Sequence, residues 1–238
     1  MRRVFLDIGA HIGQTAKVVL DPKYRFDAIY CFEPVPDCAE QIRTLNDPRL
    51  QIITAGLAQE SGTARISDAG GVGASIHTIK DDPSIEIQLL EASSWFQENI
   101  SPEDLVFVKM NCEGTECDIL DNLFDSRAID LAHSIMVDFD VRKIPGLEHR
   151  EKEIRQRIRN EHFHQICFCE DVMLGKTHAD RIDNWLTFAG IFETLPKDQL
   201  IQQLFPKFKQ YSLRNRLPKI VYKIRRKLHL LMTPQQKV

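Results

Sequence analysis

An aspartate, a glycine-rich turn and a second acid stand at the spacing of a nucleoside-binding site. Asp7 follows the apolar residues 4–6, and Gly9 and Gly13 flank the turn that opens the next helical stretch. Glu33 lies 20 residues beyond Gly13, the interval at which an acid ending the second strand of a doubly wound sheet meets ribose hydroxyls. The spacing therefore predicts a bound nucleoside whose sugar contacts Glu33.

The order of residues in this turn favours a cationic cofactor. A dinucleotide fingerprint reads G-x-G-x-x-G, whereas the turn here reads D-x-G-A-x-x-G. A carboxylate at Asp7 would repel phosphate and would suit S-adenosylmethionine, which carries a sulfonium and an ammonium but no phosphate. The alternative is an NAD-dependent oxidoreductase on the same kind of sheet, against which Asp7 and the missing second glycine argue.

Four separated stretches carry a family resemblance. They read LDIGAHIGQT at 6–15, CFEPVPD at 31–37, ITAGLAQESGTA at 53–64 and VKMNCEGTECDIL at 108–120. In these motifs the chain resembles the FkbM-like S-adenosylmethionine-dependent methyltransferases, over about its first 140 residues. The fourth motif of that family usually reads K-I-D-x-E-G-x-E, and Asn111 stands here in place of the aspartate.

The resemblance implies methyl transfer to a hydroxyl, because members of the family commonly O-methylate sugars, glycolipids and polyketides. We therefore expect an O-methyltransferase acting on a sugar hydroxyl of a glycan, a glycolipid or a lipid-linked saccharide. If chemistry were lost with the aspartate at position 111, the chain would instead be a non-catalytic cofactor-binding protein. The residues expected to contact the cofactor are Asp7, Gly9, Ala10, His11, Gly13, Gln14, Thr15, Glu33, Pro34, Gly56, Leu57 and Asn111.

A hydroxyl acceptor also needs a group that takes its proton, and a positioned base contributes about 10² to 10⁴ in rate. Ligands of open sheets bind at the carboxyl ends of strands, where Glu113, Glu116, Asp138 and Asp140 follow predicted strands. The predicted catalytic residues are Glu113, Glu116, Asp138 and Lys109, the last as a partner of one of the acids. Glu116 could instead only stabilise the N-terminus of its helix. The interaction of a carboxylate with the helix dipole there contributes about 0.3 to 1 kcal/mol.

A divalent metal is conceivable beside these acids, since hard cations take oxygen ligands. Without an aspartate at position 111, however, no metal site is predicted. The histidines show no ligand spacing, and the six cysteines form no C-x-x-C motif. We expect the cysteines to be free thiols, because the first strand begins near residue 4, leaves no room for a signal peptide and indicates the reducing cytoplasm.

Short apolar runs alternate with amphipathic stretches, a pattern typical of a mostly parallel sheet covered by helices. Predicted strands lie at 3–8, 28–33, 50–55, 105–110, 133–139, 164–169 and 185–189, and predicted helices at 13–20, 36–46, 115–124 and 147–161. With the resemblance, this predicts an α/β fold: a Rossmann-like, doubly wound, seven-stranded sheet of the class I methyltransferase type, with an antiparallel last strand. Residues 1–198 would form the S-adenosylmethionine-binding domain.

Two connections are expected to shape the site. Residues 63–67 and 85–89 predict a small accessory hairpin, and the glycine-rich residues 70–75 between them are either a cap over the cofactor or a plain surface loop. Residues 170–183 are expected to form the long connection between the last two strands and to border the substrate pocket.

The C-terminal segment concentrates positive charge. Residues 199–238 contain ten lysines or arginines and no acid, whereas the rest of the chain carries 34 acids and 21 bases. Apolar residues between 217 and 231 recur at helical spacing. Such a basic amphipathic helix can lie on an anionic membrane surface, here the inner face of the membrane, or it can pack on the domain or on a second subunit. Nucleic acid is disfavoured, because the tail lacks interleaved aromatic residues and the body is acidic.

Overall fold

The computed structural model describes residues 1–67, 84–172 and 177–194. The chain divides into two compact units, Met1–Trp185 and Leu186–Val238. All the strands described below belong to the first unit, whereas the second unit is described only as the end of a helix. The predicted boundary at residue 198 and the basic tail lie outside the described residues.

Nine strands and seven α-helices make up the described part of the chain. The strands are β1 Arg3–Ile8, β2 Ala28–Phe32, β3 Leu50–Ile53, β4 Gly56–Ala58, β5 Gly62–Ile66, β6 Ile85–Glu91, β7 Leu105–Met110, β8 Ser134–Val137 and β9 Ile166–Phe168. The helices are α1 Gln14–Val19, α2 Pro36–Arg43, α3 Ala92–Asn99, α4 Glu116–Asp125, α5 Glu148–Asn160, α6 Cys169–Val172 and α7 His178–Thr194. Helix α3 was not predicted, and no helix of the described residues is long and apolar enough to cross a bilayer.

Six strands form one sheet in the order β3-β2-β1-β7-β8-β9, and every neighbouring pair is parallel. The first six predicted strands are therefore confirmed, as is the parallel α/β architecture. The chain runs outward from β1 to β3 and then returns to β7 on the other side of β1. Because ligands of open α/β sheets bind where the strand order reverses, the carboxyl ends of β1 and β7 are the expected place for a site.

Side chains of β1 alternate between two apolar layers, as the pleat of a strand requires. Val4, Leu6 and Ile8 belong to the main hydrophobic cluster on one face. Phe5 points to the other face, where its ring lies 5.9 Å from that of Trp185 in an edge-to-face contact. Aromatic pairs of this geometry add about 0.5 to 1.5 kcal/mol to the burial of their area. Trp185 in α7 thus helps to cover the second face of the sheet.

The predicted seventh strand at 185–189 is wrong, because these residues lie within helix α7. A capping box starts the helix: the backbone N–H of Asp180 donates to Thr177 Oγ1 over 3.1 Å, and the N–H of Thr177 donates to Asp180 Oδ2 over 3.0 Å. This reciprocal pair satisfies two backbone donors that would otherwise lack partners. Residues 170–183, predicted to be a loop, are likewise helical on both sides of residues 173–176, which lie outside the described part.

The first turns of α7 are held to the rest of the first unit by polar contacts. Asp183 Oδ1 accepts a hydrogen bond from Tyr24 Oη over 2.7 Å and lies 2.8 Å from Lys23 Nζ. The indole N–H of Trp185 donates to Ser134 Oγ over 3.0 Å. These contacts explain why an apolar run that reads as a strand packs as a helix.

A second, three-stranded sheet has the order β4-β6-β5. Strands β5 and β6 pair antiparallel, with Thr63 opposite Gln88, so the predicted accessory hairpin is confirmed. The glycine-rich residues 70–75 lie outside the described residues. All six cysteines are described and free, as predicted.

Candidate functional site

A cavity of about 240 Å³ opens at the carboxyl ends of β1 and β7, where the strand order reverses. Its walls come from the turn after β1, the end of β2, the accessory sheet, the loop after β7 and the start of α7. Ten of the twelve predicted cofactor residues line it: Gly9, Ala10, His11, Gln14, Thr15, Glu33, Pro34, Gly56, Leu57 and Asn111. Asp7 and Gly13 are not among the lining residues.

The glycines after β1 are required by packing as well as by backbone conformation. Gly9 has φ +78°, and a Cβ built there would lie 1.9 Å from the carbonyl oxygen of Asn111. At Gly13, which has φ +79°, a Cβ would lie 3.3 Å from the side chain of Ile42 in α2. Gly9 therefore lets the turn approach the loop after β7, and Gly13 lets α1 approach α2.

Glu33 is fixed at the edge of the cavity by the backbone. Its Oε2 accepts the N–H of His11 over 2.7 Å, and its Oε1 accepts the N–H of Val35 over 2.9 Å. Burial raises the pKa of Glu33, while these backbone hydrogen bonds oppose the rise. Each carboxylate oxygen can accept a second hydrogen bond, so Glu33 can bind ligand hydroxyls without losing its own support.

Asp7 and Lys109 form a buried ion pair beside the cavity. Lys109 Nζ lies 3.0 Å from Asp7 Oδ1 and donates to the carbonyl oxygen of Gly9 over 2.7 Å. The register of β1 and β7 places the two residues directly opposite each other, with both side chains on one face. Asp7 is fully buried, whereas Lys109 lines the cavity.

This arrangement corrects the prediction that the Asp7 carboxylate faces a cationic ligand. Its charge is compensated by Lys109, and the ammonium is the group of the pair that reaches the cavity. The charge argument against a phosphate-bearing ligand therefore fails. The physical reason is the strand register, which brings a lysine 102 positions away in the sequence next to Asp7.

Glu113 is the acid that lines the cavity on the side of β7 and β8. It has φ +55°, a left-handed conformation that is uncommon for a residue with a side chain. Asp140 lies nearby: its Oδ2 accepts a hydrogen bond from Asn111 Nδ2 over 2.9 Å, and its Oδ1 lies 2.7 Å from Lys143 Nζ. Burial, followed by the charge of Asp140, raises the pKa of Glu113.

Two other predicted catalytic acids do not line the cavity. Glu116 is fully buried, and its Oε1 accepts the N–H groups of Cys112 over 2.9 Å and Gly114 over 3.1 Å. It therefore holds the loop that carries Glu113. Asp138 lies 3.5 Å from Arg142, with a third of its side chain exposed. Lys109 and Glu113 remain as the predicted catalytic residues that reach the cavity, and the described residues contain no group of three acids, histidines or cysteines arranged to hold a metal ion.

His178 is a cavity residue that the sequence analysis missed. It lies in the first turn of α7, and its Nε2 is 2.9 Å from Thr15 Oγ1. Burial, followed by the charge of Lys109, lowers the pKa of His178, which favours the neutral form of the ring. The Thr177-x-x-Asp180 capping box is the sequence signal that could have placed this histidine at the start of a helix.

Comparison with known proteins identifies the family. Residues 7–165, about two thirds of the chain, match the model of the methyltransferase FkbM domain. A solved structure, methyltransferase FkbM from Methylobacillus flagellatus KT, is 17% identical with a TM-score of 0.36, and the match covers 52% of this chain and 30% of that chain. No curated protein matches significantly. Since the family model covers more than half of the sequence, the chain belongs to the methyltransferase FkbM domain family.

Proposed function

We propose that this protein is an S-adenosylmethionine-dependent O-methyltransferase that acts on a sugar hydroxyl of a glycan, a glycolipid or a lipid-linked saccharide. The observation that carries the proposal is one cavity, at the switch point of a sheet in an FkbM family domain, with Glu33 and Glu113 both in its lining. One acid, Glu33, would bind the hydroxyls of a nucleoside, and the other, Glu113, would contact an acceptor.

The lining residues fit S-adenosylmethionine by their chemistry. Glu33 would bind the ribose hydroxyls, since its oxygens keep acceptor capacity beyond their two backbone bonds. Apolar side chains of the accessory sheet, Leu57, Ile66, Ile87 and Leu89, supply a surface for the adenine ring. Lys109 carries a positive charge into the cavity and would pair with the carboxylate of the methionine part.

The protein's part in the reaction is alignment and proton transfer. When bound, S-adenosylmethionine supplies a methyl group whose bond to sulfur breaks, with the electron pair going to sulfur, as a lone pair of the acceptor oxygen forms the new C–O bond. Alignment of the two reacting atoms can be worth on the order of 7 to 11 kcal/mol. Glu113, which follows β7 and lines the cavity, would interact with the acceptor.

A transfer assay tests this function. The purified full-length chain is incubated with methyl-labelled S-adenosylmethionine and a panel of neutral saccharides and glycolipids, and label in the acceptor is measured. We expect transfer to at least one member, with kcat reduced by about 10² to 10⁴ in Glu113→Gln. If the chain binds S-adenosylhomocysteine but transfers label to none of these acceptors, the result would support a non-catalytic binding protein instead.

We also propose that residues 199–238 bring the chain to an anionic lipid surface, on the support of their sequence alone. The test is sedimentation of the full chain with vesicles that contain anionic lipid or only zwitterionic lipid. Substituting Lys219, Lys223 and Arg226 by glutamine should weaken binding to anionic vesicles, because each basic residue near such a surface contributes about 1 kcal/mol. Equal binding to both vesicle types would contradict this role.

A further inference from the structure

Asn111 directly follows β7, at the strand end where the order of the sheet reverses, and it lines the cavity. Its main chain is packed against the turn after β1. The N–H of Asn111 donates to the carbonyl oxygen of Ile8 over 3.0 Å, and its own carbonyl oxygen lies so close to Gly9 that a Cβ there would be 1.9 Å away. The side chain is therefore the part of Asn111 that is left for a ligand.

The carboxylate of Asp140 determines which way the amide of Asn111 points. Asn111 Nδ2 donates to Asp140 Oδ2 over 2.9 Å. An ionised carboxylate accepts hydrogen bonds but cannot donate them, so the NH₂ group must face Asp140 and Oδ1 must point away from it. In the described part of the chain, Asn111 Oδ1 accepts no hydrogen bond and is not sealed from solvent. Asn111 thus presents a neutral acceptor oxygen to the cavity.

Asp140 is itself held in place from outside the cavity. Its Oδ1 lies 2.7 Å from Lys143 Nζ, and its side chain is only 8% exposed. The backbone N–H of Lys143 also donates to the carbonyl oxygen of Asp140 over 2.8 Å. Hydrogen bonds with an ionised partner are about twice as strong as neutral ones. Neither Asp140 nor Lys143 lines the cavity, so the two residues support the amide of Asn111 without contacting a ligand.

The charge of Lys109 explains why an amide suits position 111. Lys109 Nζ donates to the carbonyl oxygen of Gly9 over 2.7 Å, beside the main chain of Asn111, and its charge is already shared with Asp7 at 3.0 Å. A second carboxylate at position 111 would compete with a ligand for Lys109 and would also face Asp140. The amide of Asn111 supplies an acceptor without a net charge, which leaves Lys109 available to a ligand carboxylate.

The neighbouring cation and neutral acceptor suit the two charged groups of an α-amino acid, which are carried by one carbon atom. Lys109 suits the carboxylate, and the ammonium requires an acceptor close by. Asp7 is fully buried and does not line the cavity. The carboxylate of Glu33 is bound to the backbone on the side of β2. Asn111 Oδ1 is the acceptor next to Lys109.

We propose that Asn111 Oδ1 accepts a hydrogen bond from the ammonium of the amino acid part of S-adenosylmethionine, and that Asp140, anchored by Lys143, is the positioning residue that orients the amide. This inference rests on the proposed function and deepens it, because it names the residues that recognise the amino acid end of the cofactor.

The test removes the ammonium from the ligand and the amide from the protein. The full chain is titrated calorimetrically with S-adenosylhomocysteine and with its deaminated analogue, which lacks only the ammonium. We expect the wild type to prefer S-adenosylhomocysteine by about 10- to 150-fold in Kd, the range for a hydrogen bond to a charged group. Asn111→Ala should bind the two ligands with similar Kd, because only the interaction with the ammonium is lost.

Three further variants define the roles of the neighbouring residues. Asp140→Asn should reduce the preference, because an amide at position 140 can also donate to Asn111 Oδ1 and let the Asn111 side chain turn over. Glu113→Gln should keep the preference. Asn99→Ala is the matched control and should keep it as well, since Asn99 Nδ2 donates to the carbonyl oxygen of Trp95 over 2.9 Å at the end of α3 and Asn99 does not line the cavity.

The ratio of the two affinities separates recognition of the ammonium from a change in cavity shape, because a distorted cavity would weaken both ligands alike. A full preference retained in Asn111→Ala would overturn the proposal, as would a preference lost only in Glu113→Gln. If Asn111→Ala does not fold, an unchanged preference in Asp140→Asn overturns the role of Asp140 in orienting the amide. Equal and tight binding of both ligands to the wild type would overturn this inference alone, whereas binding of neither would overturn the proposed function.

Discussion

Lys109 Nζ lies 3.0 Å from Asp7 Oδ1 across the neighbouring strands β1 and β7, with both side chains at least nine-tenths buried. The same ammonium donates to the carbonyl oxygen of Gly9, so the pair ties the turn after β1 to the strand beside it. It thereby joins the two strand ends between which the cavity opens.

Breaking this pair should destabilise the fold. Removal of one partner of a buried ion pair leaves an unpaired charge and costs about 3 to 5 kcal/mol. We expect Asp7→Asn and Lys109→Met each to lower the free energy of unfolding, measured by urea denaturation, by a comparable amount. The double variant should recover a large part of the loss, because it leaves no buried charge. Strictly additive losses would contradict a direct interaction between the two residues.

The turn itself should not tolerate a side chain at its first glycine. In Gly9→Ala the new Cβ meets the carbonyl oxygen of Asn111 at 1.9 Å in a left-handed backbone. The conformation alone costs on the order of 1 to 3 kcal/mol, and relief of the clash adds to it. Gly62→Ala is the control, because nothing lies within 4 Å of a Cβ there. Equal thermal stability of the two variants would show that the approach of Gly9 to Asn111 is not required.

Glu116 should influence stability in a pH-dependent manner. Burial raises its pKa above the ordinary 4.5, so the folded state favours the protonated form. Its contribution to stability is therefore present at pH below about 4.5 and is lost as the pH rises through the raised pKa. The free energy of unfolding of the wild type, relative to Glu116→Gln, should fall as the pH rises above about 4.5. A difference that rises with pH over this range would contradict the environment assigned to Glu116.

His178 should contribute to ligand binding through its contact with Thr15. Thr15→Val removes the hydroxyl that lies 2.9 Å from His178 Nε2 while keeping the shape of the side chain. A net hydrogen bond is worth about 0.5 to 1.5 kcal/mol, so the ring should lose its fixed position and S-adenosylhomocysteine affinity should fall in both Thr15→Val and His178→Ala. Thr44→Val is the control, since the side-chain hydroxyl of Thr44 donates to the carbonyl of Gln41 at the exposed end of α2, away from the cavity. Unchanged affinity in both Thr15→Val and His178→Ala would exclude this role.

The parallel sheet could be predicted from the sequence because its strands are short apolar runs buried on both faces. The run at 185–189 has the same composition, and only the capping box at Thr177 and Asp180 and the contacts of Asp183 with Lys23 and Tyr24 show that it is helical. Within a short apolar run, the periodicity of the sequence does not distinguish a buried strand from a buried helix.

The site was predictable to the extent that it depends on local motifs. The turn after β1 and Glu33 follow from spacing along the chain, and both reach the cavity. The pairing of Asp7 with Lys109 depends on strand register, and the contact of Thr15 with His178 joins residues 163 positions apart. Such contacts arise from tertiary packing, which the residue types alone do not specify.

Calorimetric titration of the full chain with S-adenosylhomocysteine and, separately, with NAD tests the central claim most directly. The account predicts saturable binding of S-adenosylhomocysteine, weakened in Glu33→Ala by about 1.5 to 3 kcal/mol, roughly 10- to 150-fold in Kd. Saturable binding of NAD with no heat from S-adenosylhomocysteine would contradict it.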